Sequence, residues 1–195
     1  RVEGDTFRVE AFPLSRQPRQ RLVVVEWIFH RTSERVCEGL GAIREIPAVV
    51  QSVEFNAEEG QGFYNRQLAR VFEDWNWKAE TQVIPNLPLK SDFMKDSVQV
   101  EVEFGNARTY YQDYIKFMLA FNQKAVEVGV LVVPTEDFAR TLCAVGRRKA
   151  VAKGRHSYSG MIHIEKVRRE LGCLAFMLNM PLTIVGIGAQ RLRLP

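Results

Sequence analysis

The sequence predicts an α/β fold, a central mixed β-sheet flanked by helices, and three observations lead to it. Apolar, β-branched runs such as LVVVEWIF (22–29) and VEVGVLVVP (126–134) have the composition of buried strands. Between them lie stretches whose apolar residues recur at helical spacing, and the two kinds of segment alternate along the chain. No repeat or linker divides the chain. The expected organisation is an N-terminal arm or loop over 1–20 and a single domain over 21–195.

Taken in order, the mixed, basic residues 1–20 carry two prolines (Pro13, Pro18) and no clear period. The strand over 22–29 follows, then a weakly amphipathic helix within 34–46 and a second strand at AVVQSVEF (48–55). In FYNRQLARVFEDWNW, Tyr64, Leu68, Val71 and Trp75 share one helical face. The prolines of IPNLP (84–88) mark a loop. A second helix carries Tyr110, Tyr114, Phe117, Met118 and Phe121 as a stripe, read as core packing. Pro134 ends the strand over 126–134, and Thr135 with Glu136 and Asp137 begins a helix to about residue 145. GRRKAVAKGRHSYSG (146–160) reads as a basic loop, HIEKVRREL as a short helix stopped by Gly172, and LTIVGIG (182–188) as the last strand.

Composition narrows the function classes. With 195 residues, 46% of them hydrophobic, the chain can bury a full core. Its 27 basic and 23 acidic residues leave a net charge of +4, which permits a polyanionic partner without requiring one. Cys37, Cys143 and Cys173 are odd in number and far apart, the pattern of a reduced protein without a zinc site. No apolar run reaches membrane-spanning length and the opening residues lack a signal-peptide pattern, so a cytoplasmic protein with no membrane partner is expected.

The chemistry concentrates in SDFMKDSVQVEVEFGN (91–106), where Asp92, Asp96, Glu101 and Glu103 crowd a strand-like alternation. Val98, Val100, Val102 and Phe104 share one face, and Gln99, Glu101 and Glu103 the other. With Lys95-Asp96 as a hairpin loop, Asp92 pairs with Gln99 and joins the two glutamates, diagonal to Glu101. The glutamates would then lie roughly 6.5–7 Å apart. Two readings compete. One is a solvated, charged edge strand; the other is a site where carboxylates converge on Mg²⁺, the cation offsetting their repulsion.

Asp, eight spacer residues, then Glu-x-Glu resembles the PD-(D/E)xK nuclease core. That stretch, the helix YYQDYIKFMLAF, the strand VEVGVLVVP, the loop HSYSG and the ending PLTIVGI together resemble the BglII/BstYI (BamHI-related) group of type II restriction endonucleases. The resemblance runs from about 22 to 188 and is strongest over 89–134, with no counterpart for 1–20. It implies a restriction-endonuclease-like core and, by position, Asp92 and Glu101 as metal-binding carboxylates. Glu103 falls where most of these nucleases carry lysine and where this group carries glutamine or glutamate. Asn65 falls near a further polar catalytic position of the group.

The resemblance also implies a homodimer embracing double-stranded DNA. Asn106 matches a base-contacting position, although asparagine is equally a turn former, and Arg108 lies beside it. Arg155, His156, Ser157 and Tyr158 lie in the segment resembling a second recognition loop, and Lys153 with Arg147, Arg148 and Lys149 would attract phosphates regardless of sequence. His30 and His163 are read as packing residues. The function so implied is Mg²⁺-dependent hydrolysis of DNA, with Mn²⁺ as a substitute ion, at a short palindrome with a GATC centre and 5′ overhangs, in a prokaryotic cytoplasm. The alternatives are a repair or recombination nuclease directed by DNA structure, and a silent DNA-binding protein.

Overall fold

In the computed structural model of the chain, the described residues are 6–13, 21–56, 58–105, 109–154 and 160–191. They form a seven-stranded mixed sheet between two layers of helices, in the order β1-β2-β7-β6-β5-β4-β3. The first half of the chain gives β1 (Thr6–Pro13), β2 (Arg21–His30), α1 (Ser33–Leu40), α2 (Ala42–Gln51), α3 (Gln61–Asp74), β3 (Lys78–Gln82), β4 (Lys90–Lys95) and β5 (Val98–Val102). The second half gives α4 (Tyr111–Asn122), β6 (Val128–Pro134), α5 (Glu136–Val151), α6 (Ile164–Leu174) and β7 (Leu182–Arg191). Strands β5, β6 and β7 run parallel at the centre, and the flanking pairs are antiparallel.

Each face of the sheet has its own core. On one side β2, β5, β6 and β7 send Val25, Trp27, Val100, Val130 and Val185 against α1, α2, α3 and α5. Helix α3 is fixed there by Phe72 stacked on Phe93 at 4.5 Å and by Tyr64 edge-on to Phe138 at 4.9 Å. On the other side α4 and α6 cover β6 and β7 through Tyr114, Phe117, Val167 and Leu171. Helix α4 lies close because β6 offers a glycine there: a Cβ on Gly129 would stand 2.7 Å from the Phe117 ring.

Several local expectations need correction, and one strand had no expectation at all. Residues 6–13 of the segment read as an arm or loop form β1, paired along its length with β2. The segment expected as a strand at 48–55 begins inside α2. Ile46, Val49, Val50 and Val53 are all buried in the same core, so the helical period outweighed β-branching. Helix α5 runs to Val151 and takes up the first part of the expected basic loop; Arg148 and Lys149 suit the negative end of its dipole. Helix α6 passes through Gly172 and ends at Leu174. Strand β3, exposed and polar at the sheet edge, had no hydrophobic signal to announce it.

Candidate active site

The β4–β5 hairpin turns at Asp96 and Ser97, both with positive φ (45° and 62°), as a two-residue loop between right-twisted strands demands. Lys95 pairs with Val98, Met94 with Gln99 and Phe93 with Val100. The expected loop, Lys95-Asp96, was one residue early, and β5 slides by two. A slide of two preserves which side each residue faces. Phe93, Val98, Val100 and Phe104 therefore enter the apolar core, and Asp92 lies on the same side as Glu101 and Glu103. The same register carried one step further sets Asp92 directly across from Glu101, not diagonal to it.

The carboxylate face is half-buried at Asp92 and Glu103 and fully buried at Glu101. Strand β5 is interior, Glu101 is 1% exposed, Gln99 is fully buried, and α4 covers the strand end. Both oxygens of Glu101 are engaged: Gln99 Nε2 donates to Oε1 at 2.7 Å and Lys116 Nζ to Oε2 at 2.6 Å. Lys116 also pairs with Asp113 at 2.8 Å, one turn earlier on α4. Asp92 Oδ2 accepts from the Val102 backbone N–H at 2.7 Å. Glu103 continues the pairing with β6 by donating its N–H to Val132 O at 2.9 Å, and its side chain accepts from Thr109 Oγ1 at 3.1 Å. It lies over Gly105, where a Cβ would meet Glu103 Oε1 at 2.4 Å.

Crowding of like charge in a dry setting governs the electrostatics. Burial, then the charge of Asp92, pushes Glu101 up to about 7 against the pull of Lys116. Asp92 is raised by burial, against the Val102 N–H and Lys116. Glu103 and Asp113 are raised by burial as well, Glu103 also by the charge of Asp113. For Lys116, burial favours the neutral amine, but its bonds to Asp113 and Glu101 outweigh that and raise its pKa. The raised Glu101 and the raised Lys116 pull the shared proton in opposite directions. The direction that stands is a charged ammonium, because Asp113 as well as Glu101 supports it. One cation is thus shared among carboxylates that lack positive charge.

Asn65 is exposed on α3 and lines, with Asp92, Glu80 and Glu73, a cleft of about 410 Å³ between α3 and the β3–β4 edge. Lys153 is exposed in the turn after α5. Arg148 and Lys149 reach back to Glu58 (3.3 Å) and Glu59 (3.6 Å). Asn106, Arg108, Arg155, His156, Ser157 and Tyr158 lie outside the described residues. His30 is buried with Nε2 2.9 Å from Leu178 O, and His163 caps α6 by accepting from the Lys166 N–H. Sequence reasoning missed Asp113 and Lys116. The signal was there: a charged i, i+3 pair flanks the buried stripe Tyr110, Tyr114, Phe117 and interrupts its edge.

Among the described residues, no group of three or more His, Cys, Asp or Glu is arranged to hold a metal ion unaided. Of the three carboxylates expected to converge, Glu103 bonds to Thr109 and Glu101 to Lys116. The pair Asp92 and Glu101 nonetheless fits a hard cation. The donors are all oxygen, burial raises both carboxyls and the charge of Asp92 raises Glu101 further, a balance a cation would relieve, and Mg²⁺ commonly takes one or two carboxylates with waters and a substrate phosphate. No helix among the described residues is long and apolar enough to cross a membrane.

Comparison with solved structures finds a likeness to the crystal structure of restriction endonuclease BglII complexed with a DNA 16-mer. The TM-score is 0.62 at 15% identity, over 83% of this chain and 77% of that one. That degree of identity speaks for the fold, a restriction-endonuclease-like α/β core. No curated protein matches the sequence. Residues 25–187 match the family described as restriction endonuclease BglII/BglIII. That span takes in β4, β5, α4 and the whole carboxylate network, and the chain belongs to the BglII family of type II restriction endonucleases.

Proposed function

We propose that this protein is a Mg²⁺-dependent homodimeric restriction endonuclease that hydrolyses both strands of a short palindromic DNA site. The observation that carries the reading is the apposition of half-buried Asp92 and buried Glu101 on adjacent strands beside an open cleft, in a chain of this family. Buried like charges on neighbouring strands cost stability, and a site meant to take a divalent cation accounts for that cost. Asp92 and Glu101 would hold the ion, with Mn²⁺ as a substitute. When bound, it supplies a water of lowered pKa and charge stabilisation at the phosphorus.

The chain's own residues do the rest. The Val102 N–H holds one oxygen of Asp92 and Gln99 holds one of Glu101, so both carboxylates are oriented before substrate arrives. Glu103, tethered to Thr109 at the end of the strand, stands at the third catalytic position, and Asn65 orients polar groups from the α3 wall of the cleft. Lys153 supplies sequence-independent attraction to phosphates, while Asn106, Arg108 and residues 155–158 contribute base and backbone contacts. A two-fold protein matches a two-fold site. Support for a dimer surface comes from α4, which exposes Ile115 (52%), and from the turn after α6, which exposes Phe176 (82%) and Met177 (50%). The site we favour has a GATC centre cut to leave 5′ overhangs, within a cytoplasmic restriction–modification system.

Digestion of a plasmid of known sequence with and without Mg²⁺, with the ends mapped, tests the reading. Discrete fragments sharing one palindrome at their ends are expected. Metal-independent cutting, random ends, or no cutting under any divalent cation would sink it.

A further inference from the structure

Glu101 presents an unusual balance for a metal-binding carboxylate: both of its oxygens already have donors from the chain, and one of those donors is a full positive charge. Lys116 is only 16% exposed, and its ammonium is held at 2.6 Å from Glu101 and 2.8 Å from Asp113. Asp113 is itself buried, at 8% exposure. The lysine reaches the strand because Gly129 lets α4 pack directly on β6. Had the pair served only to tie α4 down, one carboxylate would have sufficed. Instead a single ammonium bridges a helix carboxylate and the strand carboxylate assigned to the ion.

We propose that Lys116 is a built-in counter-ion, a positioning residue that neutralises Glu101 while no divalent cation is bound and competes with that cation for it. The proposal rests on the metal-dependent reading above. Asp113 is the other half of the device. It keeps the ammonium near the strand yet gives it a second partner, so that Glu101 is not its sole support. Two charges of the same sign within reach of one carboxylate oppose each other, and the opposition is strong where water is excluded. The consequence is a site that stays intact without metal but binds the ion more weakly than its carboxylates alone would.

The test is thermal unfolding of the full chain, without DNA, titrated with MgCl₂ and separately with MnCl₂. The apparent metal affinity is read from the rise of the midpoint with concentration. Lys116→Met is expected to melt lower than wild type in chelator yet bind either ion about tenfold more tightly. A lysine that was only structural would lower the midpoint and leave the affinity unchanged or weaker. Asp113→Asn, a milder change, leaves the ammonium to Glu101 alone and is expected to weaken metal binding several-fold. Should Lys116→Met fold only when metal is present, that supports the proposal. Should it fail to fold at all, Asp113→Asn decides, and unchanged affinity in that variant overturns it. A wild-type protein that responds to both ions, beside a Lys116→Met that binds no tighter, overturns this inference and leaves the nuclease reading standing. A wild-type midpoint indifferent to every divalent ion overturns both.

Discussion

Strands β5 and β6 are neighbours, run in the same direction and pair Gln99 with Gly129 and Glu101 with Leu131. Toward α3 and α5 they are alike, with Val98 and Val100 beside Val128 and Val130. Toward α4 they are opposites. β6 presents Gly129, Leu131 and Val133 to an apolar helix pair, whereas β5 presents Gln99, Glu101 and Glu103. The same backbone, one strand over, changes from an apolar core face to a carboxylate-bearing one. Alternation explains how one strand can do both, since each residue's side is fixed by parity alone. What makes the polar face tolerable is Lys116 reaching across from α4, together with two donors of β5 itself, Gln99 and the Val102 N–H.

The sharpest way to break the comparison is to make β6 resemble β5. Leu131→Glu would bury a second carboxylate beside Glu101 with Lys116 already committed. An uncompensated buried charge costs about 3–5 kcal/mol, so the variant is expected to be unfolded or nearly so by circular dichroism at neutral pH, recovering in part in acid.

A smaller effect separates the strands through pH. The pKa of Glu101 rises from 4.5 unfolded to about 7 folded, so the folded state holds that proton more tightly. The stability this gives is present below pH 4.5 and lost as pH rises through 7. Asp92, Glu103 and Asp113 shift in the same direction. The metal-free protein should therefore melt lower at pH 8 than at pH 5, by no more than roughly 3 kcal/mol for Glu101, since each pKa unit is worth about 1.36 kcal/mol. Saturating Mg²⁺ should flatten that slope. A metal-free midpoint that climbs steadily over the same range would contradict the electrostatic account.

Least in size, Gly129→Ala tests how β6 lets the lysine reach its neighbour. The added methyl would press on the Phe117 ring, and overpacking of this kind costs about 1–3 kcal/mol. Because Phe117 adjoins Lys116 on α4, cleavage should fall further than the stability loss alone accounts for. Cleavage at the wild-type rate, once corrected for the folded fraction, would show that α4's position is not critical.

The comparison also explains what could be read from the sequence. Asp92, Glu101 and Glu103 were legible as one face even though the loop was misplaced by one residue, because the error in pairing was an even number. The segment 48–55 was misread because Val49, Val50 and Val53 satisfy a β-branched composition and a helical period at once. Lys116 was legible only as half of a charged pair at the edge of an apolar stripe: that it reaches Glu101 depends on how closely α4 approaches the sheet, and that is set by Gly129 on a strand still to come in the chain. Strand β3 escaped because an exposed edge strand needs no apolar residues.

Cleavage and DNA binding measured together on Glu101→Gln and Asp96→Asn test the central claim most directly. Glu101→Gln keeps the shape of the side chain but removes the charge that faces Asp92, while Asp96→Asn alters only the exposed hairpin loop, where asparagine is equally at home. The expected result is loss of cleavage by about 10³-fold or more for Glu101→Gln, with DNA bound as tightly as wild type or tighter, and full activity for Asp96→Asn. An active Glu101→Gln beside a dead Asp96→Asn would contradict the account and move the site from the buried face of β5 to the turn.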